Sequence, residues 1–208
     1  MRKSKISLFV GAGLVLALIS GCTTPKTERN AQSPIQIVAT TGMVGDIAKN
    51  LGGERVQIKT LMGAGVDPHL YKPTPADVRA LQSADMVFYN GLHLEGKMSD
   101  VLERVGQKKT VVAVADDIPE AQLLLADAKT KTHDPHVWFD VSKWMLATEK
   151  ARDSLIKFDP PNEKIYRDNA TKYLAQLREL DSQTRREIAT IPVTRRVLVT
   201  AHDAFRYF

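Results

Sequence analysis

Between residues 35 and 114 the hydrophobic and polar positions follow two alternating periodicities. Short apolar, β-branched runs are typical of strands, and they occur at residues 35–41, 55–61, 85–90 and 110–114. Segments with helical spacing separate them, at residues 43–51, 75–84 and 94–105. Strands that alternate with helices in this way predict βαβ units and a parallel sheet, which is an α/β fold. The helix after the second strand has a clear start. Thr74 suits the N-cap position and Pro75 the first turn, and the negative charge of Asp77 interacts favourably with the helix dipole.

The second half of the chain is dominated by helical patterns. A helix is predicted over residues 141–157, followed by Asp159-Pro160-Pro161, and a longer one over residues 162–190, which contain no glycine or proline. About 28 helical residues span roughly 42 Å. Such a helix either connects two lobes or lies along one surface. The apolar residues that we expect on its buried face are Ile165, Tyr173, Leu177, Leu180 and Ile188.

The last residues predict the beginning of another α/β unit. Residues 196–200 have the pattern of a strand, and they lead into Ala201-His202-Asp203-Ala204-Phe205 shortly before the final residue, Phe208. A single strand can neither bury its faces nor satisfy its backbone groups. We therefore expect the sequence to be a fragment that lacks most of a second lobe.

The N-terminus has the pattern of a secretory signal peptide. Arg2, Lys3 and Lys5 precede an uncharged apolar run that is too short for a transmembrane helix of about 20 residues. Residues 1–21 hold three of the 29 Lys and Arg residues and none of the 24 Asp and Glu residues, so the remainder has 26 basic against 24 acidic residues, a net charge of +2. That balance argues against a nucleic-acid partner.

Cys22 is the only cysteine, and it ends the sequence Leu18-Ile19-Ser20-Gly21-Cys22. This junction resembles a bacterial lipobox, in which the cysteine becomes the lipid-bearing first residue of the mature protein. A lipid-bearing Cys22 leaves no thiol for disulfides or thiolate metal sites. The polar residues that follow, up to Pro34, suit a flexible tether.

The tripeptide Asp-Pro-His occurs twice, at 67–69 and at 134–136. Proline fixes its own φ and favours extended geometry in the preceding residue, so each histidine leaves a stiff loop. Stiff loops lower the entropy cost of ligand binding. Either copy alone is better explained by an ordinary turn, but two copies together with a third histidine indicate a metal site.

Several motifs together resemble those of the zinc- and manganese-binding lipoproteins that serve ABC-type metal importers. In chain order they are the lipobox, Asp67-Pro68-His69 with Tyr71-Lys72-Pro73-Thr74-Pro75, Asn90-Gly91-Leu92-His93-Leu94-Glu95, Asp134-Pro135-His136-Val137-Trp138-Phe139-Asp140, the long helix, and Thr200-Ala201-His202-Asp203-Ala204-Phe205. The resemblance covers residues 22–208. It implies two Rossmann-like α/β lobes joined by a long rigid helix, with the metal held between them and most of the second lobe missing here.

The resemblance also implies a ligand set and a domain organisation. His69 and His136 match first-lobe ligands, His202 matches a ligand from the start of the second lobe, and a later carboxylate usually completes the set. The implied divisions are a signal peptide (1–21), a lipid-anchored tether (22–34), an N-terminal metal-binding lobe (35–158), a linking helix (159–192) and the start of a C-terminal lobe (193–208).

The function implied is capture of Zn²⁺ or Mn²⁺ outside the cytoplasm and delivery to an importer permease with its ATPase. We expect a monomer, anchored to a bacterial membrane in the periplasm or at the cell surface, without enzymatic activity. Imidazoles suit zinc, whereas carboxylates shift the preference toward manganese, so the metal stays open. The main alternative is a zinc hydrolase with three histidines and an open fourth position; a cell-adhesion role is a weaker one.

The other polar and aromatic residues near the motifs have subordinate roles in this interpretation. His93 and His133 are not expected to be ligands, and His93 is expected to pack or to support a ligand. Asp67, Asp134 and Asp203 either orient imidazoles or cap turns. The aromatic residues expected in the core are Trp138, Phe139 and Trp144.

Overall fold

The computed structural model describes residues 33–127 and 129–208. The expected signal peptide, the lipid-bearing Cys22 and the tether as far as residue 32 lie outside the described residues. Within the described ranges, every helix is too short or too polar to cross a membrane.

Four parallel strands form the central sheet in the order β2-β1-β3-β4. They are β1 (Ile35–Thr41), β2 (Val56–Met62), β3 (Met86–Tyr89) and β4 (Thr110–Ala113). The helices between them are α1 (Gly42–Gly52), α2 (Pro75–Ser83) and α3 (Ser99–Gly106). The predicted βαβ order and parallel sheet are confirmed, and of the seven elements only α3 begins clearly later than predicted, after a short 3-10 turn at Gly96–Met98.

Helices cover both faces of this sheet, so the central strand β1 contributes apolar residues to both sides. Ile35, Ile37 and Ala39 of β1 belong to one core, whereas Val38 belongs to the other. The first core also contains residues of α1 and of the two later helices, α4 (Val141–Phe158) and α5 (Glu163–Ala189). The second contains residues of α2 and α3. The alternation of side chains along β1 therefore fixes which helices lie on which face.

The long helix α5 has 27 residues, close to its predicted length, but its buried face differs from the predicted one. Ile165 and Leu180 are exposed, and the buried residues are Tyr166, Ala170, Leu174 and Leu177. These four follow a spacing of four, four and three residues, which gives a continuous stripe on an α-helix. The prediction is confirmed for Leu177 and for Tyr173, which packs against the first core, and it is wrong for Ile165 and Leu180.

Polar contacts fasten the first half of α5 to the lobe. The Tyr166 hydroxyl donates to Asp159 Oδ2 at 2.6 Å, and Arg55 Nη2 donates to the same oxygen at 3.3 Å. Further along, Tyr173 donates to Asp46 Oδ2 at 2.8 Å. The pKa of Asp159 is lowered: burial pushes it upward, but the hydrogen bonds from Tyr166, then Asn162 and Arg55, outweigh that effect.

Two parts of the chain differ from the sequence-based expectations. A two-stranded antiparallel ribbon, β5 (Leu125–Asp127) and β6 (Thr132–His133), lies within the predicted loop. Residues 196–200 form no strand and are largely exposed, so the strand predicted there is wrong. A strand needs a neighbouring strand for its backbone groups, and none of the described strands lies beside this segment. The described residues therefore contain one α/β lobe followed by a long helix.

Candidate metal centre

The site lies at the carboxyl ends of the two central strands. Connections from β1 and β3 leave the sheet in opposite directions, which opens a crevice where α/β proteins commonly bind ligands. An open cleft of about 950 Å³ occupies this position. Its walls include Thr41 at the end of β1 and all three predicted ligands, His69, His136 and His202. We call these three residues the histidine cluster.

His69 lies on the loop between β2 and α2. Asp67 Oδ1 accepts a hydrogen bond from the His69 backbone N–H at 2.9 Å. Asp67 therefore stabilises the turn and does not orient the imidazole ring through this bond. The loop ends at the capping box predicted from Thr74 and Asp77: the Thr74 hydroxyl accepts from the Asp77 backbone N–H, and Asp77 Oδ2 accepts from that of Thr74 at 2.8 Å. This cap fixes the point at which the loop enters α2.

His136 is buried, and its imidazole is oriented by its own loop. Asp134 Oδ1 accepts from the His136 backbone N–H at 3.0 Å and lies 2.7 Å from His136 Nδ1. Because a carboxylate only accepts hydrogen bonds, Nδ1 carries the proton and Nε2 keeps its lone pair. Asp134 thus orients an imidazole, one of the two roles considered for it. Asp203, by contrast, is exposed.

The three imidazoles converge on one point. His136 Nε2 lies 3.2 Å from His69 Nε2 and 3.3 Å from His202 Nε2. One ligand atom from each of the three residues lies within 4.8 Å of the others. Two nitrogens that are each about 2.0–2.1 Å from a tetrahedral zinc ion are about 3.3–3.4 Å apart. Two of the three nitrogen pairs, both involving His136, therefore have the spacing that a tetrahedral zinc ion requires.

The electrostatics of the site favour the neutral form of His69. The pKa of His69 is lowered, first by burial and next by the neighbouring His136. Burial disfavours the charged form of an imidazole, and a second imidazolium close by adds repulsion. Neutral imidazole is the form that binds metals.

All three aromatic residues expected in the core line the cleft, and two of them are only half-buried. Trp144 is buried as predicted, whereas Trp138 and Phe139 are half-buried. The Trp138 ring lies edge-on to His136, with the ring centroids 5.3 Å apart. Phe139 packs against Phe205 at 4.2 Å. The Val137–Phe139 turn places both rings at the wall of the cleft, where Trp138 also packs against the first core.

His93 and His133 lie outside the cluster. Both line a separate cavity beside β4, and His133 Nε2 is 3.8 Å from Glu120 Oε1. His93 is exposed and has a positive φ of 63°, so the expectation that it packs is wrong.

A buried polar network that supports His136 escaped the sequence analysis. Glu95 Oε1 accepts from the Thr40 hydroxyl at 2.6 Å and from the Asn90 backbone N–H at 2.8 Å. The Asn90 side-chain amide donates to the Pro135 carbonyl at 3.0 Å, directly before His136. Burial raises the pKa of Glu95, and these hydrogen bonds oppose that rise. The sequence signal for this network was Glu95 itself, an acidic residue that lies between Leu94 and Gly96.

Solved structures of bacterial metal-binding proteins share this fold. The periplasmic zinc-binding protein TroA from Treponema pallidum superposes with a TM-score of 0.81 at 44% identity, over 85% of this chain and 63% of that protein. A manganese-bound periplasmic metal-binding protein from Candidatus Liberibacter asiaticus gives a TM-score of 0.74 at 28% identity, over 83% and 64%.

Sequence relatives agree with the structural comparison. The manganese-binding lipoprotein MntA of Bacillus subtilis is 47% identical over 190 residues, which are 91% of this chain and 62% of the relative. The zinc-binding protein TroA of Treponema pallidum is 43% identical over 94% of this chain and 63% of its own length. The chain thus spans somewhat less than two thirds of these relatives.

A parallel α/β lobe with a histidine cluster at its switch point and a long helix after it defines the class of TroA-like solute-binding folds. Residues 37–208 match the family described as zinc-uptake complex component A, periplasmic (ZnuA). The chain belongs to this family. The resemblance to zinc- and manganese-binding proteins of metal importers is thereby confirmed.

Proposed function

We propose that this chain captures a divalent transition-metal ion outside the cytoplasm and delivers it to an ABC-type importer. The observation that carries the proposal is the convergence of three imidazoles within 4.8 Å at the switch point of the sheet. His69, His136 and His202 would each supply one Nε2 lone pair. Membership of the family and the names of the relatives, which bind manganese and zinc, support the same function.

The donor set supports zinc or manganese as cargo. Three imidazoles are borderline-soft ligands that suit zinc, and the distances from His136 Nε2 to the other two Nε2 atoms fit a tetrahedral ion. Manganese prefers oxygen ligands, yet a relative that is 47% identical to this chain is named as a manganese-binding lipoprotein. Asp134 Oδ1 is engaged with His136 Nδ1, so its role is to orient a ligand.

The accompanying organisation is part of the proposal. Residues 35–158 act as the metal-binding lobe, 159–192 as the linking helix and 193–208 as the first part of a second lobe. Cys22 carries the lipid anchor at the outer face of a bacterial membrane after removal of residues 1–21. The protein acts as a monomer and docks on a permease that is driven by an ATPase.

Binding rather than catalysis is the proposed activity. The zinc hydrolase alternative finds no support in the family or in the relatives named above, which are metal-binding proteins. A hydrolase also needs a carboxylate or water positioned as a base beside the metal. Asp134, the carboxylate in contact with the cluster, already accepts from two N–H groups of His136.

The test is a competition titration of purified protein with Zn²⁺ and Mn²⁺ against a chromogenic chelator. Alanine in place of His69, His136 or His202 should weaken binding by more than the 10–100-fold typical of outer-shell partners. His93→Ala is the matched control, because it removes an exposed imidazole outside the cluster. Wild-type affinity in all three cluster variants, or turnover of ester and peptide substrates that depends on the metal, would refute the proposal.

A further inference from the structure

The segment that carries His202 has little structure of its own. We define residues 196–208 as the C-terminal segment. Its first part forms neither helix nor strand, and Val197 and Val199 are 79% and 89% exposed. Nevertheless His202 Nε2 lies 3.3 Å from His136 Nε2. Contacts elsewhere in the segment must therefore place this imidazole opposite the lobe.

Tyr207 makes the first of these contacts with its hydroxyl group. The hydroxyl accepts a hydrogen bond from the Leu124 backbone N–H at 2.9 Å and donates one to the Asp134 carbonyl at 3.0 Å. Its ring is half-buried against the main core, with Lys143 Nζ 5.4 Å from the ring centroid. Burial raises the pKa of Tyr207, which keeps the hydroxyl protonated and able to donate. One side chain thus joins the C-terminal segment to the loop that bears His136.

Arg206 makes the second contact, with strand β5 and with Asp134 of the same loop. Its Nη1 donates to the Leu125 carbonyl at 2.7 Å and lies 3.6 Å from Asp134 Oδ2. The other oxygen of Asp134 holds His136 Nδ1 at 2.7 Å. Asp134 is 2% exposed, so its charge is poorly screened by water and responds to both neighbours. A single carboxylate therefore faces the imidazole on one side and the guanidinium of the C-terminal segment on the other.

We propose that Arg206 and Tyr207 form a clip that positions His202 against His136 and so sets the affinity of the metal site. The inference rests on the proposed function and adds two positioning residues to it. When one of the metal-binding side chains lies on an unfastened segment, the affinity of the site for the metal is lower. It is reduced in proportion to the fraction of time that this side chain spends in place. The clip keeps that fraction high before metal arrives, which is preorganisation.

The main variant is Tyr207→Phe, which keeps the ring and removes both hydrogen bonds of the hydroxyl. We expect Zn²⁺ affinity to fall about tenfold, equivalent to about 1.4 kcal/mol. Visible absorption of the Co²⁺-loaded protein should change as well, because one imidazole is replaced by water for part of the time. Arg206→Gln changes a partly exposed position and should also lower the Zn²⁺ affinity. It tests the clip even if Tyr207→Phe does not fold.

Tyr166→Phe is the matched control. It also removes a tyrosine hydroxyl bonded to an aspartate, but at the start of α5, away from the cleft. This control should unfold at lower urea concentration while its metal affinity and Co²⁺ spectrum stay as in the wild type. Equal losses of affinity in Tyr166→Phe and Tyr207→Phe would mean that stability alone is being measured, and would overturn the clip.

A double-mutant comparison separates positioning from a general structural role. In a His202→Ala background, Tyr207→Phe should produce no further loss of affinity, because there is no third imidazole left to position. The same tenfold loss in both backgrounds would overturn the proposal, as would an unchanged affinity of the single variant.

Hydrogen exchange of the metal-free protein gives an independent measurement. The amides of residues 200–206 should exchange faster in Tyr207→Phe than in the wild type, and unchanged exchange would overturn the clip. If the wild type bound no metal at all, the proposed function and the clip's role in affinity would both fail. The exchange rates would still show whether the clip holds the segment.

Discussion

Replacing Asp134 with asparagine tests whether this carboxylate prepares His136 for metal. Asp134 Oδ1 accepts from His136 Nδ1 at 2.7 Å, which fixes the proton on Nδ1 and leaves Nε2 free. An asparagine can present its N–H₂ group to Nδ1 instead. The proton then moves to Nε2, the atom that faces His69 and His202, and the imidazole can no longer donate its lone pair there.

The magnitude follows from the kind of hydrogen bond that is lost. A short bond between an N–H and a buried carboxylate contributes about 1.5–3 kcal/mol. Only the part that strengthens on metal binding affects affinity, so the lower half of that range applies. We therefore expect Zn²⁺ affinity to fall by about 10–50-fold, which agrees with the roughly 10–100-fold loss known for outer-shell partners of metal-bound histidines.

The assay is a chelator competition titration of the variant beside two controls. Asp159→Asn changes an aspartate of similar burial, 4% exposed, that binds Tyr166 and not the cluster. It should lose stability without losing affinity. Arg206→Gln reports the part of the effect that runs through the guanidinium near Asp134 Oδ2. An Asp134→Asn variant that binds Zn²⁺ as tightly as the wild type would refute the assignment of the tautomer.

Two further predictions concern the scaffold around the site. Asn90→Ala removes the amide that holds the Pro135 carbonyl, so the free energy of unfolding should fall by about 1–3 kcal/mol and Zn²⁺ affinity a few-fold; urea unfolding and titration check both, and an unchanged unfolding midpoint would contradict the role of the network. The folded-state pKa of Asp159 lies below the ordinary aspartate value of about 4. Ionised Asp159 therefore stabilises the fold, and this contribution is complete above the ordinary pKa. It is lost as the pH falls through the lower pKa of the folded state. Thermal unfolding between pH 7 and pH 2 should therefore show a weaker loss on the acid side in Asp159→Asn, and parallel curves would contradict this.

The elements that the sequence predicted correctly are those with local signals. The α2 start was evident because Thr74, Pro75 and Asp77 act within one turn, and the structure shows the expected capping box. The orientation of His136 by Asp134 is similarly local, since the two residues are two positions apart. Local geometry and hydrophobic periodicity were enough to predict the class of fold and the succession of strands and helices along the first half of the chain.

The errors concern properties that depend on distant partners. Residues 196–200 have strand-type side chains, but a strand forms only beside another strand, and the pattern contains no such information. The face of α5 was predicted only in part, because its apolar residues are few and long polar side chains surround them, so α1 and α4 decide which stripe is buried. His202 was assigned to the site through the family motif, and nothing in its neighbours along the chain indicates that it approaches His136.

The spacing of the cluster along the chain has a thermodynamic consequence. His69 and His136 are 67 residues apart, and His136 and His202 are 66 apart. Closing loops of that length in an unfolded chain costs about 4 kcal/mol each in configurational entropy. An unfolded chain therefore assembles the three nitrogens only at a high entropic cost, so a metal ion that needs all three binds the native state much more tightly. Cargo at about 1,000 times its dissociation constant would add about 4 kcal/mol to the free energy of unfolding. In the proposed function, release of the metal would remove a crosslink that joins residues 69, 136 and 202.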